Sequence, residues 1–361
     1  MRKRARQIGI EVGVMDTGQL NAITDVTGVL VGHKTIMDGE TVRTGVTAVL
    51  PHDGNLYQEK VPAAIAIANG FGKFAGYTQV EEVGTIETPI IITNTLNVGT
   101  AVAASVKYTL GLAGNENVRS VNAVVGEIND GILSDIRGMH VTEPDVIAAI
   151  RSARPGPVDE GCVGAGTGAR TFNYKSGVGT SSRMVPLDTD LRYTVGVLVV
   201  TNYGGLLDVN GAPVGRELGQ PGYGEPRKEE GGSCIIVIAT DAPFSSLGLK
   251  RLARRAFHGL ARTGSHLTNG SGDYAIAFST AYRIPHNCRT PLLLPALLMT
   301  DAMTPFFQAV IEATQEAVYN SLFMAVTTTG QHGRVVPALP MDEVIEICKK
   351  YNVLNLRQRL K

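Results

Sequence analysis

The sequence predicts a fold built from packed α/β layers. The chain has 361 residues, 43% of them hydrophobic, so it is long and apolar enough to bury a sizeable core. Short apolar segments of strand length are separated by turns rich in glycine, of which there are 42. Longer segments repeat apolar residues at helical spacing, most clearly towards the C-terminus. These observations indicate an α/β class and are compatible with several layered architectures.

The N-terminal part of the chain contains several of the predicted strands. Apolar segments predict strands at residues 29–31, 47–50, 63–67 and 90–93, and a helix follows at about residues 100–112. The stretch 203–232 is rich in glycine, proline and charge, and it predicts an exposed loop. In a chain that cuts itself, such a loop is the expected place for the segment before the scissile bond.

The pattern is clearer in the C-terminal part. Strands are predicted at 235–239 and 274–278, and helices at 247–261, about 301–325 and 342–350. In the first helix, apolar positions such as Leu249 and Leu252 lie opposite a basic face formed by Lys250, Arg251 and their neighbours. We interpret that face as solvated, because it has no interleaved aromatic residues of a nucleic-acid site.

Charge, cysteine and histidine usage exclude several classes of function. Lys+Arg and Asp+Glu both number 33, which removes any general attraction to nucleic acids or membrane surfaces. No segment approaches the roughly 18 unbroken apolar residues of a membrane helix, so a cytoplasmic enzyme is expected. The four cysteines are widely spaced and favour free thiols. The seven histidines show no metal-binding spacing, so we expect no metal and no other cofactor.

The segment 229–241 contains a distinctive junction and reads E-E-G-G-S-C-I-I-V-I-A-T-D. If the chain cut itself between Gly232 and Ser233, Ser233 would carry a hydroxyl and a free α-amine. Such an amine has a pKa of about 8, so part of it is neutral at pH 7 and can accept the hydroxyl proton. Glycine tolerates the strained backbone that an N-to-O acyl shift requires. On this segment alone, an ordinary turn before a strand is the simpler interpretation.

Seven sequence blocks follow one another along most of the chain. They are N-A-I-T-D-V-T-G-V-L-V-G-H (21–33), V-V-G-E-I-N-D-G-I-L-S-D-I-R-G (124–138), G-A-G-T-G-A (164–169), V-L-V-V-T-N-Y-G (197–204), G-A-P-V-G-R-E-L (211–218), G-G-S-C-I-I-V-I-A-T-D-A-P (231–243) and N-G-S-G-D-Y-A-I-A-F-S-T (269–280). In these blocks the chain resembles the family of L-aminopeptidase/D-amidase-esterases and β-peptidyl aminopeptidases, which are self-processing serine enzymes. The resemblance implies an αββα sandwich of the N-terminal-nucleophile-hydrolase type and tetramers of processed protomers.

The resemblance also implies catalytic residues. Ser233 matches the nucleophile, and Asn202, in T-N-Y-G, matches the oxyanion-hole amide. Ser271 and Asp273, in G-S-G-D, match a serine and an acid that orient and polarise the nucleophile or its amine. Asp273 is a departure, because the β-peptidyl enzymes carry glutamate there and the shorter arm changes the reach of the carboxylate. Outside this context, the same residue types are typical of turns at strand ends.

An aminopeptidase must also hold the ammonium group of its substrate. Glu127, in V-V-G-E-I-N-D, is the first candidate carboxylate and Asp130 is the second, although acids at such positions also cap strands and helices. Family members that cleave α-peptides carry a tyrosine near the position of Ile132 in this chain. The choice among L-α-, D- and β-amino-acid substrates therefore stays open.

Three alternatives compete with this interpretation. The glycine-rich block between Gly164 and Gly168 suggests a nucleotide-binding module, but it lacks the buried strand before it and the amphipathic helix after it that a dinucleotide fold requires. An acyltransferase related to the ornithine acetyltransferases would also cut itself, but those enzymes use threonine where this chain has serine. An uncut relative with a structural or binding role is the third alternative.

The sequence as a whole predicts a self-processing serine aminopeptidase or amidase. We expect a single αββα domain over residues 1–361, cut into chains of residues 1–232 and 233–361. The enzyme would release N-terminal residues from short peptides, amides or esters that have a free amine. Its partners would be such substrates and further copies of itself, with neither nucleic acid nor membrane.

Overall fold

Two stacked β-sheets form the centre of the molecule. They are seen in a computed structural model that describes residues 2–220, 232–288 and 292–359. The predicted loop at 203–232 is described at 203–220 and at residue 232, and residues 221–231, directly before the expected cut, lie outside the described residues. The prediction of an exposed loop is wrong for much of the described part, where Tyr203, Leu207, Val209, Ala212 and Val214 are buried and Val214–Glu217 is helical. Residue 232 already belongs to a strand.

The first sheet has five strands, and two helices cover its outer face. Helices α2 (Val98–Leu110) and α3 (Glu143–Arg151) pack on it through small and apolar side chains. The strand order is β1-β2-β6-β7-β4, in which the β6–β7 pair is parallel and the other pairs are antiparallel. The strands are β1 (Leu30–Asp38), β2 (Val42–Leu50), β4 (Phe74–Ala75), β6 (Ile90–Asn94) and β7 (Val124–Ile128).

The second sheet has seven strands and is covered by helices α5 (Ser246–Ala261) and α6 (Thr304–Phe323). Its order is β10-β11-β12-β13-β3-β14, with β5 also paired to β3, and the β12–β13 pair is parallel. The strands are β3 (Glu59–Gly70), β5 (Thr85–Ile86), β10 (Val178–Pro186), β11 (Arg192–Asn202), β12 (Gly232–Thr240), β13 (Ser271–Ser279) and β14 (Ile284–Pro285).

Short elements complete the described fold. The helices are α1 (Tyr77–Val83), α4 (Val214–Glu217), α7 (Met341–Lys350) and α8 (Leu356–Arg359), and the two-residue strands are β8 (Arg170–Thr171), β9 (Tyr174–Lys175), β15 (Thr328–Thr329) and β16 (Val335–Val336).

The layer order is helix, sheet, sheet, helix. Strand β12 shows why, because Ile235 and Val237 face the core between the sheets while Ile236 and Ile238 face helices α5 and α6. A strand covered on both faces needs apolar residues at successive positions, which explains its unbroken apolar run. The described architecture is therefore the predicted αββα sandwich.

Most of the predicted elements are found, with strands longer than predicted and helix bounds within three residues of the prediction. Strands β7, β10 and β11 and helix α3 were not predicted. The β10 sequence is polar, yet its side chains are buried, because Thr180, Ser181 and Arg183 find hydrogen-bond partners inside the fold. Helix α3 has nine residues, which is too short to show a clear apolar period. Thr142 and Asp145 form a capping box at its start. A buried polar strand has no apolar periodicity from which to recognise it.

A buried ion cluster joins β10 to α6. The Arg183 side chain is 0% exposed. Its Nε lies 3.1 Å from Glu312 Oε2, and its Nη2 lies 2.7 Å from Glu316 Oε2. Arg6, from the N-terminal segment, lies 2.9 Å from Glu316 Oε1. Burial disfavours ionisation of Glu316, but Arg183 and Arg6 outweigh it and hold the pKa of this carboxyl below its usual range. The cluster therefore fastens the N-terminal segment and β10 to the outer helix layer.

Replacing Arg183 by methionine should destabilise the fold strongly. The change leaves Glu312 buried without its cation and Glu316 with Arg6 alone, and such a loss typically costs about 3–5 kcal/mol. The free energy of unfolding should be measured by denaturant titration. The control Arg192→Met, at an exposed position, should change it by less than about 0.5 kcal/mol. Equal losses in the two variants would contradict a special role for the buried cluster.

Candidate active site

Four strand ends meet at one edge of the sandwich. Asn202, the last residue of β11, is the register partner of Ser233 near the start of β12, because these strands are antiparallel. Strand β13 runs parallel to β12, so its first residues lie beside the same end, with Gly272 opposite Ser233. The end of β7, in the other sheet, also reaches this point through Asn129. Residues from distant parts of the sequence are thus brought around Ser233.

The Ser233 hydroxyl is buried and faces two hydrogen-bond donors. The backbone N–H of Asn129 lies 3.3 Å from Ser233 Oγ, and Asn202 Nδ2 lies 3.5 Å from it. Asn202 is itself held on both sides, because Nδ2 donates to the Asn129 carbonyl at 2.9 Å and Oδ1 accepts from the Arg170 N–H at 3.0 Å. A fixed amide beside a serine hydroxyl is an arrangement suited to stabilising negative charge on oxygen.

Ser271 and Asp273 form a second polar pair at the same edge. Ser271 Oγ donates to Asp273 Oδ1 at 2.9 Å, and both side chains are 0% exposed. Burial raises the pKa of the Asp273 carboxyl to about 7, and the hydrogen bond from Ser271 acts in the opposite direction. Asp273 Oδ2 has no hydrogen-bond partner among the described residues. Ser271 Oγ lies 3.2 Å from where a Cβ on Gly232 would stand, so this pair borders the Gly232–Ser233 junction.

The neighbouring Cys234 is not a rival nucleophile. Its side chain is fully buried in the core beneath α5 and α6. Burial raises the pKa of this thiol well above its ordinary value, and the Asp273 carboxylate raises it further. A thiol that stays protonated and dry is a packing group.

Glu127 lies next to this centre and is bound to two other side chains. Lys73 Nζ is 2.9 Å from Glu127 Oε2, and the Thr95 hydroxyl also donates to the same oxygen. A Cβ on Gly72 would lie 2.4 Å from Glu127 Oε1 and 3.3 Å from the Cα of Gly272. The backbone at Gly72 therefore separates the Glu127 carboxylate from the strand residue that pairs with Ser233. A side chain at position 72 would displace the Glu127 carboxylate from this place.

Asp130, the second candidate for the amine site, has different surroundings. Its side chain is 1% exposed, and burial raises the pKa of its carboxyl to about 7, while Thr44, His140 and Lys175 act in the opposite direction. Its Cβ lies against the backbone at Gly168. Glu127 is the candidate carboxylate that the contacts at Gly72 link to the strand beside Ser233.

Several residues of the site were not predicted from the sequence. They are Asn129, whose N–H faces Ser233, Lys73 and Thr95, which bind Glu127, and Asn69, whose amide donates to the backbone carbonyls of residues 268, 269 and 271. A signal was present for two of them, since N-G-F-G-K at 69–73 is a glycine-rich segment directly after a strand. Backbone donors such as the Asn129 N–H leave no signal in side-chain identity.

The glycine-rich block at 164–169 has a structural role. Gly164–Gly166 forms a buried 3-10 turn packed against β2, and the short strand β8 follows it. A dinucleotide site would need a helix at that point.

Ile132 lies in a turn after Asn129. Within the described ranges, no group of three or more His, Cys, Asp or Glu side chains is arranged to hold a metal ion. No helix in the same ranges is both long and apolar enough to cross a membrane.

Comparison with known proteins gives consistent matches over nearly the whole chain. The β-peptidyl aminopeptidase BapA of Sphingosinicella microcystinivorans is 40% identical over 97% of this chain and 93% of its own length. The crystal structure of the PH0078 protein from Pyrococcus horikoshii OT3 is 45% identical, with a TM-score of 0.91 over 97% of this chain and 99% of that one.

A third match is the L-aminopeptidase D-Ala-esterase/amidase of Ochrobactrum anthropi. It is 35% identical, with a TM-score of 0.90 over 97% of this chain and 99% of its own, and it is described as a variant of the Ntn hydrolase fold. The predicted fold, the family resemblance and the prediction of a hydrolase of the aminopeptidase type are thereby confirmed. These matches give no support to the acyltransferase or the nucleotide-binding module.

The model of peptidase family S58 matches residues 21–336, which include Glu127, Asn202, Ser233 and Asp273. The chain belongs to peptidase family S58.

Proposed function

We propose that this protein is a self-processing aminopeptidase whose nucleophile is Ser233. It would release N-terminal residues from short peptides, amides or esters that have a free amine. The main support is the convergence of an Asn202 amide and an Asn129 N–H on the buried hydroxyl that directly follows Gly232. The relatives named as aminopeptidases and as an esterase/amidase support the same substrate class.

Self-cleavage would begin within the uncut chain. Ser233 Oγ attacks the carbonyl carbon of Gly232, the C–N bond breaks as the Ser233 nitrogen takes a proton, and an ester links Gly232 to the Ser233 oxygen. Water then hydrolyses the ester and leaves a carboxylate on Gly232 and a free amine on Ser233. The polar pair of Ser271 and Asp273 borders this junction and is placed to relay the protons.

The processed enzyme would use the same groups on a substrate carbonyl. The neutral amine of Ser233 takes the hydroxyl proton, and Ser271 with Asp273 orients the amine and the hydroxyl. Asn202 donates to the oxyanion, an interaction typically worth about 3 kcal/mol of barrier. The leaving amine takes a proton, and water releases the acyl group from Ser233.

Substrate selection would depend on the carboxylate of Glu127. This side chain is 7% exposed and lies across Gly72 from the strand residue beside Ser233. A carboxylate in a partly dry pocket binds an ammonium through charge-assisted hydrogen bonds. A free N-terminal amine next to the scissile carbonyl fits this arrangement, and the interior of a long chain does not.

The expectations about assembly and location stay predictions. A homo-oligomer, with tetramers implied by the family resemblance, is supported by an exposed apolar segment in which Leu292, Leu294 and Met299 are 67%, 88% and 77% exposed. Contiguous exposed apolar surface commonly marks contacts between proteins. The division into one domain with two processed chains, the absence of nucleic-acid partners and the cytoplasmic location are likewise predictions.

Pure protein should cut itself into fragments of residues 1–232 and 233–361. Intact-mass measurement after incubation would detect both fragments and the water added. Ser233→Ala should stay uncut because it lacks the attacking hydroxyl, whereas Ser233→Cys retains a nucleophile and should cut at least in part. Ser245→Ala, which removes a helix-capping hydroxyl instead, should cut like the wild type. A wild-type chain that stays at full-length mass would rule out self-processing.

The activity should rise with pH through about 7. Below that value Asp273 is protonated and cannot accept a proton from Ser271, and above it the carboxylate is ionised. Asp273→Asn removes this titrating group, so the limb of the kcat/KM profile near pH 7 should disappear, leaving the limb near pH 8 that belongs to the Ser233 amine, and the rate should fall by about 100-fold. Asp273→Glu should retain the limb. The variants are to be compared as processed enzymes, and an unchanged limb in Asp273→Asn would assign the titration to another group.

Turnover should require a free amine on the substrate. A charge-assisted bond to Glu127 is worth about 1.5–3 kcal/mol, so Glu127→Gln should raise KM by roughly tenfold to a hundredfold while self-cleavage continues. N-acetylation of the substrate adds bulk as well and should cost more. Steady-state kinetics on one amide and its acetylated form would measure both effects. Glu143→Gln, in an exposed pair with Lys107, serves as the control. Efficient hydrolysis of the acetylated amide would show that the enzyme is not an aminopeptidase.

A further inference from the structure

The proposed amine site already contains an ammonium group from the protein itself. Lys73 Nζ lies 2.9 Å from Glu127 Oε2 and 2.8 Å from Thr95 Oγ1. The Thr95 hydroxyl donates to the same carboxylate oxygen. A primary ammonium on a substrate has the same charge and the same three donors as a lysine side chain. Lys73 therefore makes the contacts that a substrate amine would make.

The two partners of this ion pair differ greatly in exposure. The Lys73 side chain is 56% exposed, whereas that of Glu127 is 7% exposed. Lysine has a flexible four-carbon side chain, so its ammonium group can move into water and become hydrated when it leaves the carboxylate. An ion pair with one exposed partner contributes little net stability, and exchange of its cation costs little. The Lys73 ammonium can therefore move away into solvent, whereas the Glu127 carboxylate stays buried.

The Lys73 segment also forms part of the wall of the site. Gly72 stands between Glu127 and Gly272, and Gly272 is the register partner of Ser233. The Phe71 N–H donates to the Ser271 carbonyl at 3.2 Å, which fastens the segment to the start of β13. The segment that carries Lys73 is therefore held beside the strand that pairs with Ser233, while the Lys73 side chain reaches Glu127 and stays 56% exposed.

Two cations cannot share this carboxylate without cost. If Lys73 stayed in place when a substrate ammonium bound, a half-buried pocket would hold two positive charges against one negative charge. Like charges a few ångströms apart repel more strongly in such a pocket than in water. Displacement of Lys73 into solvent avoids that excess of charge.

We propose that Lys73 is a specificity-determining residue that acts as an internal competitor for the amine site. It occupies Glu127 and Thr95 in the free enzyme and is displaced by the ammonium group of the substrate. Cationic amines therefore bind more weakly than the carboxylate alone would allow, because their binding requires the displacement of Lys73. This inference rests on the proposed role of Glu127.

Inhibition by a short alkylamine tests the inference in the processed enzyme, with the alcohol of the same length as its neutral match. Lys73→Met should lower the inhibition constant of the amine by about twofold to fivefold, because the competitor is gone. The KM of an amide substrate should fall in parallel, with kcat unchanged. The inhibition constant of the alcohol should not fall, and Lys73→Arg should stay close to the wild type because it keeps the charge.

The controls separate this inference from the function on which it rests. Lys107→Met removes a lysine of similar exposure from its pair with Glu143 and should change no constant, and thermal melting verifies that each variant is folded. Suppose that Glu127→Gln weakens amine binding but Lys73→Met leaves it unchanged or also weakens it. Lys73 is then not a competitor, and only this inference is overturned. If Glu127→Gln has no effect on the amine, both the inference and the proposed amine site are overturned.

Discussion

The contact between the two stacked sheets fixes the geometry of the candidate site. Strand β7 meets β12 at Gly126, where a Cβ would lie 3.0 Å from Ile235 Cδ1. In the same region the Asn129 N–H, from one sheet, reaches the Ser233 hydroxyl of the other. A side chain at position 126 would press on Ile235 and Phe74, which have little room to yield in a close-packed interior. The apolar core between the sheets therefore also helps to set the geometry of the candidate site.

Buried charge is handled differently in the scaffold and at the site. Beneath α6, Arg183 is paired with Glu312 and Glu316, so each charge has an opposite partner. At the strand ends, Asp273 has the hydrogen bond from Ser271 on one oxygen and no partner on the other among the described residues. The first arrangement stabilises ionised groups, and the second leaves a carboxyl able to gain and lose a proton near neutral pH.

The groups proposed for substrate selection and for chemistry occupy neighbouring but separate places in the fold. The proposed nucleophile, Ser233, and the Asn202 amide are positioned by the pairing of β11, β12 and β13, which are central strands of one sheet. Glu127, the proposed amine-binding carboxylate, belongs to the other sheet, and Lys73, which pairs with it, comes from the segment after β3. On this proposal, changes at Lys73 alter which amines bind without disturbing the strands that hold Ser233.

Local patterns in the sequence were enough to predict the α/β class, most of the longer strands and helices, and Ser233, Asn202, Ser271 and Asp273 as candidate site residues, because apolar periodicity and the family blocks are local in sequence. Strand β10 was not predicted, since its polar side chains are buried through partners elsewhere in the chain. The contact of Asn129 with Ser233, the place of Glu127 across Gly72 from Gly272 and the pairing of Lys73 with Glu127 became visible in the folded structure. These contacts depend on how the two sheets pack against each other, and the spacing of residues along the sequence carries no information about that packing.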